Sequence, residues 1–275
     1  RSGNDFFNIF GILHLNQLVF WLERYLIKTQ PRLCRRQYFF LCLLFVFICF
    51  QSYFSLMIEE IKPNLFVFYS PNAGSNAFLL VGQRTVLIDA SSDNNTHNIL
   101  NALASVGFTA NDIDMVLFTH GHADHFSGAK PFSGAELKMH KLDADYVNNK
   151  DLMYTAANLT GAKYFPRISD FLDSKKTINF EPFKLEVLHM PGHTQGSVCF
   201  FERTQKLLFS GDLIFQGSVG RFDLPSGNKE QLRKSLHLLQ ELDFETLLPG
   251  HGVIVKEKQQ ENIATALEAL SGTFI

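Results

Sequence analysis

The chain has 275 residues, 46% hydrophobic and 19% charged, a balance that fits one or at most two globular domains and excludes disordered and fibrous classes. Twenty-five basic residues against 27 acidic leave a formal charge of −2, which gives no general reason to expect a polyanionic partner. Of four cysteines, Cys34, Cys42 and Cys49 crowd into the first fifth and only Cys199 lies beyond, so there is no disulfide framework and the body reads as intracellular.

The averages hide a break near Met57. Residues 1–56 carry six basic residues against two acids, a net of +4; the other 19 basic and 25 acidic residues leave −6. Within this leader, the 13 residues from Tyr38 to Phe50 are apolar except for the tyrosine hydroxyl and follow Arg32, Arg35 and Arg36. That run is short for a spanning helix, which needs roughly 20 apolar residues and is reached here only by admitting Gln51, Ser52 and Ser55. A signal peptide fits worse, because no small-residue cleavage site follows. The leader is expected to be a membrane anchor through 38–56, a buried helix, or upstream sequence read through ahead of Met57. The expected location is cytoplasmic, or membrane-anchored if the leader is native.

From residue 57 onward, short apolar runs alternate with helical stretches. Strands are expected at 65–69, 76–81 and 84–90, then a helix over 96–106 with Ile99, Leu100, Leu103 and Val106 on one face. Further strands are expected at 115–119, 136–140, 184–190, 197–202, 206–210 and 245–249, with helices at 141–149, 228–240 and 256–270. No repeat or linker divides this stretch, so residues 57–275 read as one α/β domain.

Five of the ten histidines fall just past strand-like runs, in glycine-containing loops. His120, His122 and His125 stand in THGHADH (119–125), with Asp124 among them. His120 and His122, two apart, would project to the same side of an extended segment and could grip one metal. Asp124 and His125 begin the following turn and could serve a second, and Gly121 is expected to let the loop bend close to the metals. His193 lies in MPGHTQGS (190–197), Asp212 in FSGDLIF (209–215) and His251 in LPGHG (248–252). Any one of these could be a plain turn; together they supply five histidines and two aspartates.

In this order and spacing, the motifs resemble those of the metallo-β-lactamase fold superfamily, over essentially all of 57–275. The resemblance implies a four-layer αβ/βα sandwich with a dinuclear metal cleft. It implies that His120, His122 and His193 hold one ion, that Asp124, His125 and His251 hold the other, and that Asp212 bridges them. Two divalent ions are implied, zinc first, with iron or manganese as alternatives. Asp89, ending the LIDA segment, is expected either to support a ligand or to cap a helix.

The ligand set has no cysteine, which disfavours antibiotic hydrolysis. GSVGRFDLPSG (217–227) resembles the glyoxalase II segment that carries a cation towards the substrate, making Arg221 the candidate substrate contact, against the plainer reading of an arginine paired to Asp223. Phe222 could line the cleft or pack in the core. Only about 24 residues follow His251, so the chain resembles the short glyoxalase II-like hydrolases.

The implied activity is cleavage of a small-molecule thioester by a metal-bridging hydroxide, with Asp124 and Asp212 in the catalytic machinery. The alternatives are a mononuclear iron persulfide dioxygenase and a lactonase or phosphodiesterase of the same fold. A metal-stabilised binding module is a further rival, and a nucleic-acid partner is not expected from a body of net −6. His140, His189 and His237 are expected to pack or face solvent, and Tyr146, Tyr154 and Tyr164 lie where the family builds its substrate wall.

Overall fold

The structure, a computed structural model, describes residues 58–172 and 176–271. The leader expected over 1–56 lies outside the described residues.

The first sheet begins as an antiparallel meander of β1 (Ile58–Lys62), β2 (Leu65–Phe68), β3 (Ala77–Val81) and β4 (Thr85–Ile88). It continues in parallel through β5 (Met115–Leu117), β6 (Glu136–His140) and β7 (Asp170–Leu172), giving seven strands in chain order. The second sheet has β8 (Thr177–Phe180), β9 (Phe183–His189), β10 (Val198–Glu202) and β11 (Leu207–Gly211) antiparallel in turn. A small ribbon follows, β12 (Ile214–Phe215) with β13 (Ser218–Val219), before β14 (Thr246–Pro249) joins β11 in parallel. The helices are α1 (Thr96–Ser105), α2 (Ala123–Phe126), α3 (Lys141–Asn148), α4 (Ala157–Thr160), α5 (Lys229–Leu239) and α6 (Gln259–Ser271).

Strand residues that are apolar on both faces dictate the layering, because each face needs its own partner. Phe78, Leu80, Val86 and Ile88 point to the second sheet and meet Val187, Phe200 and Phe209 in a core between the sheets. Phe78 and Phe209 touch edge to face across it, ring centres 5.2 Å apart. The alternate residues Leu79, Leu87 and Val116 pack outward with Ile99 and Leu103 of α1 and Val147 of α3. On the far side, Cys199, Phe201, Leu208 and Leu247 lie with Leu232 and Leu236 of α5 and Ile263 of α6. The result is helix, sheet, sheet, helix: the four-layer αβ/βα sandwich. Among the described residues no helix is long and apolar enough to cross a membrane.

All nine expected strands and all four expected helices form within a few residues of their anticipated ends. β1, β7, β8 and the β12–β13 ribbon were not anticipated. β1 is a sheet-edge strand, IEEIK, none of whose residues is fully buried, and β7 and β12–β13 are only two or three residues long. Short or half-exposed strands carry too few apolar alternations to register as a pattern.

The fold gathers the candidate residues at the carboxyl ends of strands. β4 ends just before Asp89, β5 before Thr119, β9 before the His193 loop, β11 at Gly211 before Asp212, and β14 just before His251. Backbone bonds stitch these ends together across the sheets. Val198 N–H donates to the Thr119 carbonyl (2.8 Å), Gly250 N–H to Gly211 (2.9 Å) and Asn76 N–H to Gly250 (2.6 Å).

Candidate metal centre

All seven residues singled out in the sequence converge. Three sets of donor atoms each lie within 4.8 Å of one another: His120, His122 and His193; His120, His125 and Asp212; and Asp124, His125 and His251. The imidazoles of His120, His122, His125 and His193 are almost wholly buried, whereas the side chains of Asp124 and His251 retain 18% and 29% exposure. The cluster is thus closed behind the first set and open beside the third.

Hydrogen bonds fix which ring nitrogen faces inward in four of the five histidines. His193 Nδ1 lies 2.6 Å from the Arg221 carbonyl, which can only accept, so Nδ1 carries the proton and Nε2 presents a lone pair. His125 Nδ1 donates to Asp89 Oδ2 (2.8 Å), with the same outcome. Thr119 Oγ1 donates to Asp89 Oδ2 (2.8 Å), so it accepts from His120 Nδ1 (3.1 Å) and leaves His120 Nε2 free. Ser226 Oγ is directed at the His193 carbonyl and takes the His122 Nε2 proton (2.9 Å), leaving His122 Nδ1 inward.

The inward lone pairs then face one another. His122 Nδ1 and His193 Nε2 are 2.8 Å apart, His193 Nε2 and His120 Nε2 3.2 Å, and His125 Nε2 and His251 Nε2 3.3 Å. Neutral nitrogens in such contacts repel unless a cation or a shared proton lies between them. Ligands placed about 2.0–2.1 Å from a tetrahedral zinc sit roughly 3.3 Å apart, close to this spacing. Asp212 stands among the sets: Oδ1 is 3.2 Å from His125 Nε2, and Oδ2 is 3.5 Å from both His193 Nε2 and His251 Nε2. Its Oδ1 is buried with no well-aligned hydrogen bond, an orphan acceptor in the midst of other acceptors. The donor set therefore fits divalent cations.

The electrostatics divide the cluster. Burial, then the neighbouring His125 and His193, holds His120 well below the usual imidazole range; burial, then His193, brings His122 down to about 3. Burial also opposes charge on His125 and His251, but Asp212 and neighbouring carboxylates outweigh it and raise both. Burial alone would raise Asp124 and Asp212; nearby histidines instead hold both below the carboxylate range.

Of the remaining expectations, Asp89 does not cap a helix: it takes Thr119 N–H and Oγ1 (both 2.8 Å) and orients His125. Gly121 lies tight against Asp143. A Cβ there would stand 2.9 Å from the Asp143 Cβ, and its N–H donates to Asp143 Oδ2 (2.7 Å). The Arg221 guanidinium is 59% exposed and forks onto Asp223 (2.9 and 2.7 Å), so it is the arginine's carbonyl that reaches the cluster, through His193. Phe222 packs partly buried against the outer core, with the Lys229 ammonium 5.7 Å from its ring centre. His140 and His189 stack on each other at 4.3 Å, and His237 sits exposed beside Gln240. Tyr146 and Tyr154 stack at 3.6 Å, and Tyr164 is half-buried against the first core. Sequence reading missed Thr119, Ser226 and Asp143. Thr119 was legible, standing inside the first motif; Ser226 and Asp143 stand in no histidine motif.

Residues 71–251 match the metallo-beta-lactamase superfamily. The chain is 32% identical over 187 residues to the probable metallo-hydrolase MJ0888 of Methanocaldococcus jannaschii, covering 66% of this chain and 88% of that protein. It is 34% identical over 152 residues to the hydroxyacylglutathione hydrolase GloC of Haemophilus influenzae, covering 51% and 69%. Among solved structures, TTHA1623 in a di-iron-bound form superposes with a TM-score of 0.60 at 30% identity, over 74% of this chain and 96% of that one. With its αβ/βα layers and its clustered histidines and aspartates, this chain belongs to the metallo-beta-lactamase superfamily of metallohydrolases.

Proposed function

We propose that residues 57–275 form a dinuclear metallohydrolase that cleaves a small-molecule thioester. The observation that carries the reading is the facing of inward lone pairs in two groups, His120, His122 and His193 on one side and Asp124, His125 and His251 on the other, with Asp212 between them. Zinc suits imidazole with carboxylate, and the di-iron relative keeps iron in view. When bound there, two such ions would supply a water whose pKa is lowered towards about 7 and would polarise a carbonyl.

The chain's own residues do the rest. Asp212 spans both groups and fixes their separation. Thr119, Ser226 and the Arg221 carbonyl hold three imidazoles in the tautomer that presents a lone pair, and Asp89 does so for the fourth. Asp124, on the open side and kept ionised by His125 and His251, is placed to accept a proton from the attacking water. A thiolate leaves readily, so little general acid is demanded. The thioester class rests on the hydroxyacylglutathione hydrolase relative and on Arg221, which could fork onto a substrate carboxylate once released from Asp223.

The test uses the full chain, assayed for metal content and against a panel of thioesters, a lactone and a phosphodiester. The expected result is two divalent ions per chain and thioester hydrolysis that a chelator abolishes and added metal restores. Two bound ions with turnover of the lactone or phosphodiester alone would reassign the substrate; absence of bound metal would reject the centre itself.

A further inference from the structure

Asp143 lies in α3, outside every histidine motif, and has no solvent exposure. Its carboxylate takes four hydrogen bonds. Oδ2 accepts from Gly121 N–H (2.7 Å) and Thr194 Oγ1 (2.6 Å), and Oδ1 accepts from Gly196 N–H (2.8 Å) and the Tyr154 hydroxyl (2.7 Å). Gly121 sits between His120 and His122; Thr194 and Gly196 follow His193. One carboxylate thus ties together the two loops, from different sheets, that present the first three donors.

Both loops are shaped around it. A Cβ at Gly196 would stand 2.6 Å from Asp143 Cγ, and one at Gly121 would meet the same side chain at 2.9 Å. Thr194 is further fixed by Ser197, whose hydroxyl accepts its N–H (3.0 Å). The four donors solvate the charge in water's place. Removing one oxygen's accepting power would leave an N–H and a hydroxyl unpaired, Gly121 N–H with the Thr194 hydroxyl or Gly196 N–H with the Tyr154 hydroxyl, and the loops that carry them would shift to find other partners. By contrast, nothing in this set touches Asp124 or His251.

We propose that Asp143 is a positioning residue for the first group of donors, holding the His120–His122 loop against the His193 loop so that their inward nitrogens meet at ion-binding distance. The inference rests on the dinuclear reading and assigns the stiffness of one half of that centre to one buried side chain. It acts on geometry, through the loops, and touches neither substrate nor ion.

The experiment is a two-step zinc titration of the full chain against a chromophoric chelator, repeated with cobalt(II), whose visible bands report ligand geometry. Asp143→Asn keeps the volume but turns an amide N–H₂ towards one pair of donors. The expected result is a loss of about 10- to 100-fold in the affinity of one ion, with altered cobalt bands, while the other ion binds within about twofold of wild type. Tyr154→Phe and Thr194→Val each delete one donor and should weaken the same ion by a few-fold, which keeps the test open if Asp143→Asn does not fold. Unchanged affinities and bands in the folded variants would overturn the proposal. A uniform loss for both ions would overturn it too, by showing a general effect on stability. A wild-type chain that binds no metal would instead sink the dinuclear reading beneath it.

Discussion

The two halves of the cluster are built on different principles. On one side, His120, His122 and His193 are buried imidazoles with no carboxylate among them; each ring's far nitrogen is tied to the chain, and the loops are tied to Asp143. On the other, Asp124, His125 and His251 mix acid with base, and two of the three are partly open to solvent. Without metal, protons can stand in for the cation on the second side, where carboxylates raise His125 and His251, but not on the first, where burial depresses His120 and His122. The first side is therefore held by the fold and the second by its own charges, and proton competition with metal falls mainly on the second.

Asp212 is the residue common to both, so its loss should have the largest effect. Asp212→Ala removes the carboxylate that lies 3.2 Å from His125 and 3.5 Å from both His193 and His251. Thioester hydrolysis should fall by at least about 100-fold, the upper end of what even the outer partners of metal ligands cost, and bound metal should drop below two per chain. Steady-state kinetics with metal analysis checks it; full turnover with two ions retained would remove Asp212 from the centre.

The contrast between the halves also explains what could be read from the sequence. The donors were legible because they stand in glycine-containing loops just past apolar strands, where α/β folds assemble sites. The double-sided strands were legible as unbroken apolar runs, such as AFLLV (77–81) and VCFF (198–201). Asp143 was not, because its partners lie 11 to 53 residues away and its own surroundings, KLDADYVN, read as an ordinary amphipathic helix. Asp89 was legible as important but not in role: only the chain's return through Thr119 and His125 selects support of a ligand over a helix cap. β1 and β8 escaped because their partly exposed residues break the alternation.

Asp89 gives the next sharpest cut. Asp89→Asn should lower affinity for the ion held with His125 by about 10- to 100-fold. It should also change the metal-free chain. His125 is raised above 6.5 in the folded state, so its contribution to stability is complete below that pH and is lost as pH rises through the folded value. Weakening the carboxylate lowers that value, so the fall in melting temperature of the metal-free variant above pH 6.5 should be smaller, and end at a lower pH, than that of the wild type.

The opposite limb belongs to His122. With a folded value of about 3 against 6.5 for an ordinary imidazole, it refuses a proton that the unfolded chain accepts, so metal-free stability rises with pH across that window. His122→Gln should flatten this acid limb while leaving the alkaline limb in place. If both limbs changed together, the two halves would not be electrostatically separate, and the contrast drawn here between a fold-held and a charge-held side would fail.

The smallest expected effect lies outside both halves, at Arg221. Its guanidinium is committed to Asp223, which it holds at about 2, yet the pair is on the surface and exchanges readily with solvent or with another carboxylate. Arg221→Ala keeps the backbone carbonyl that orients His193, so kcat should stand while KM rises about two- to fivefold, the range an exposed ion pair carries, and only for thioesters bearing a carboxylate on the thiol portion. Asp223→Asn should do the reverse, freeing the guanidinium and lowering KM for the same substrates. The opposed signs matter more than the sizes: a purely structural pair would give two variants that err in the same direction, whereas a competition between Asp223 and substrate for one cation requires them to diverge.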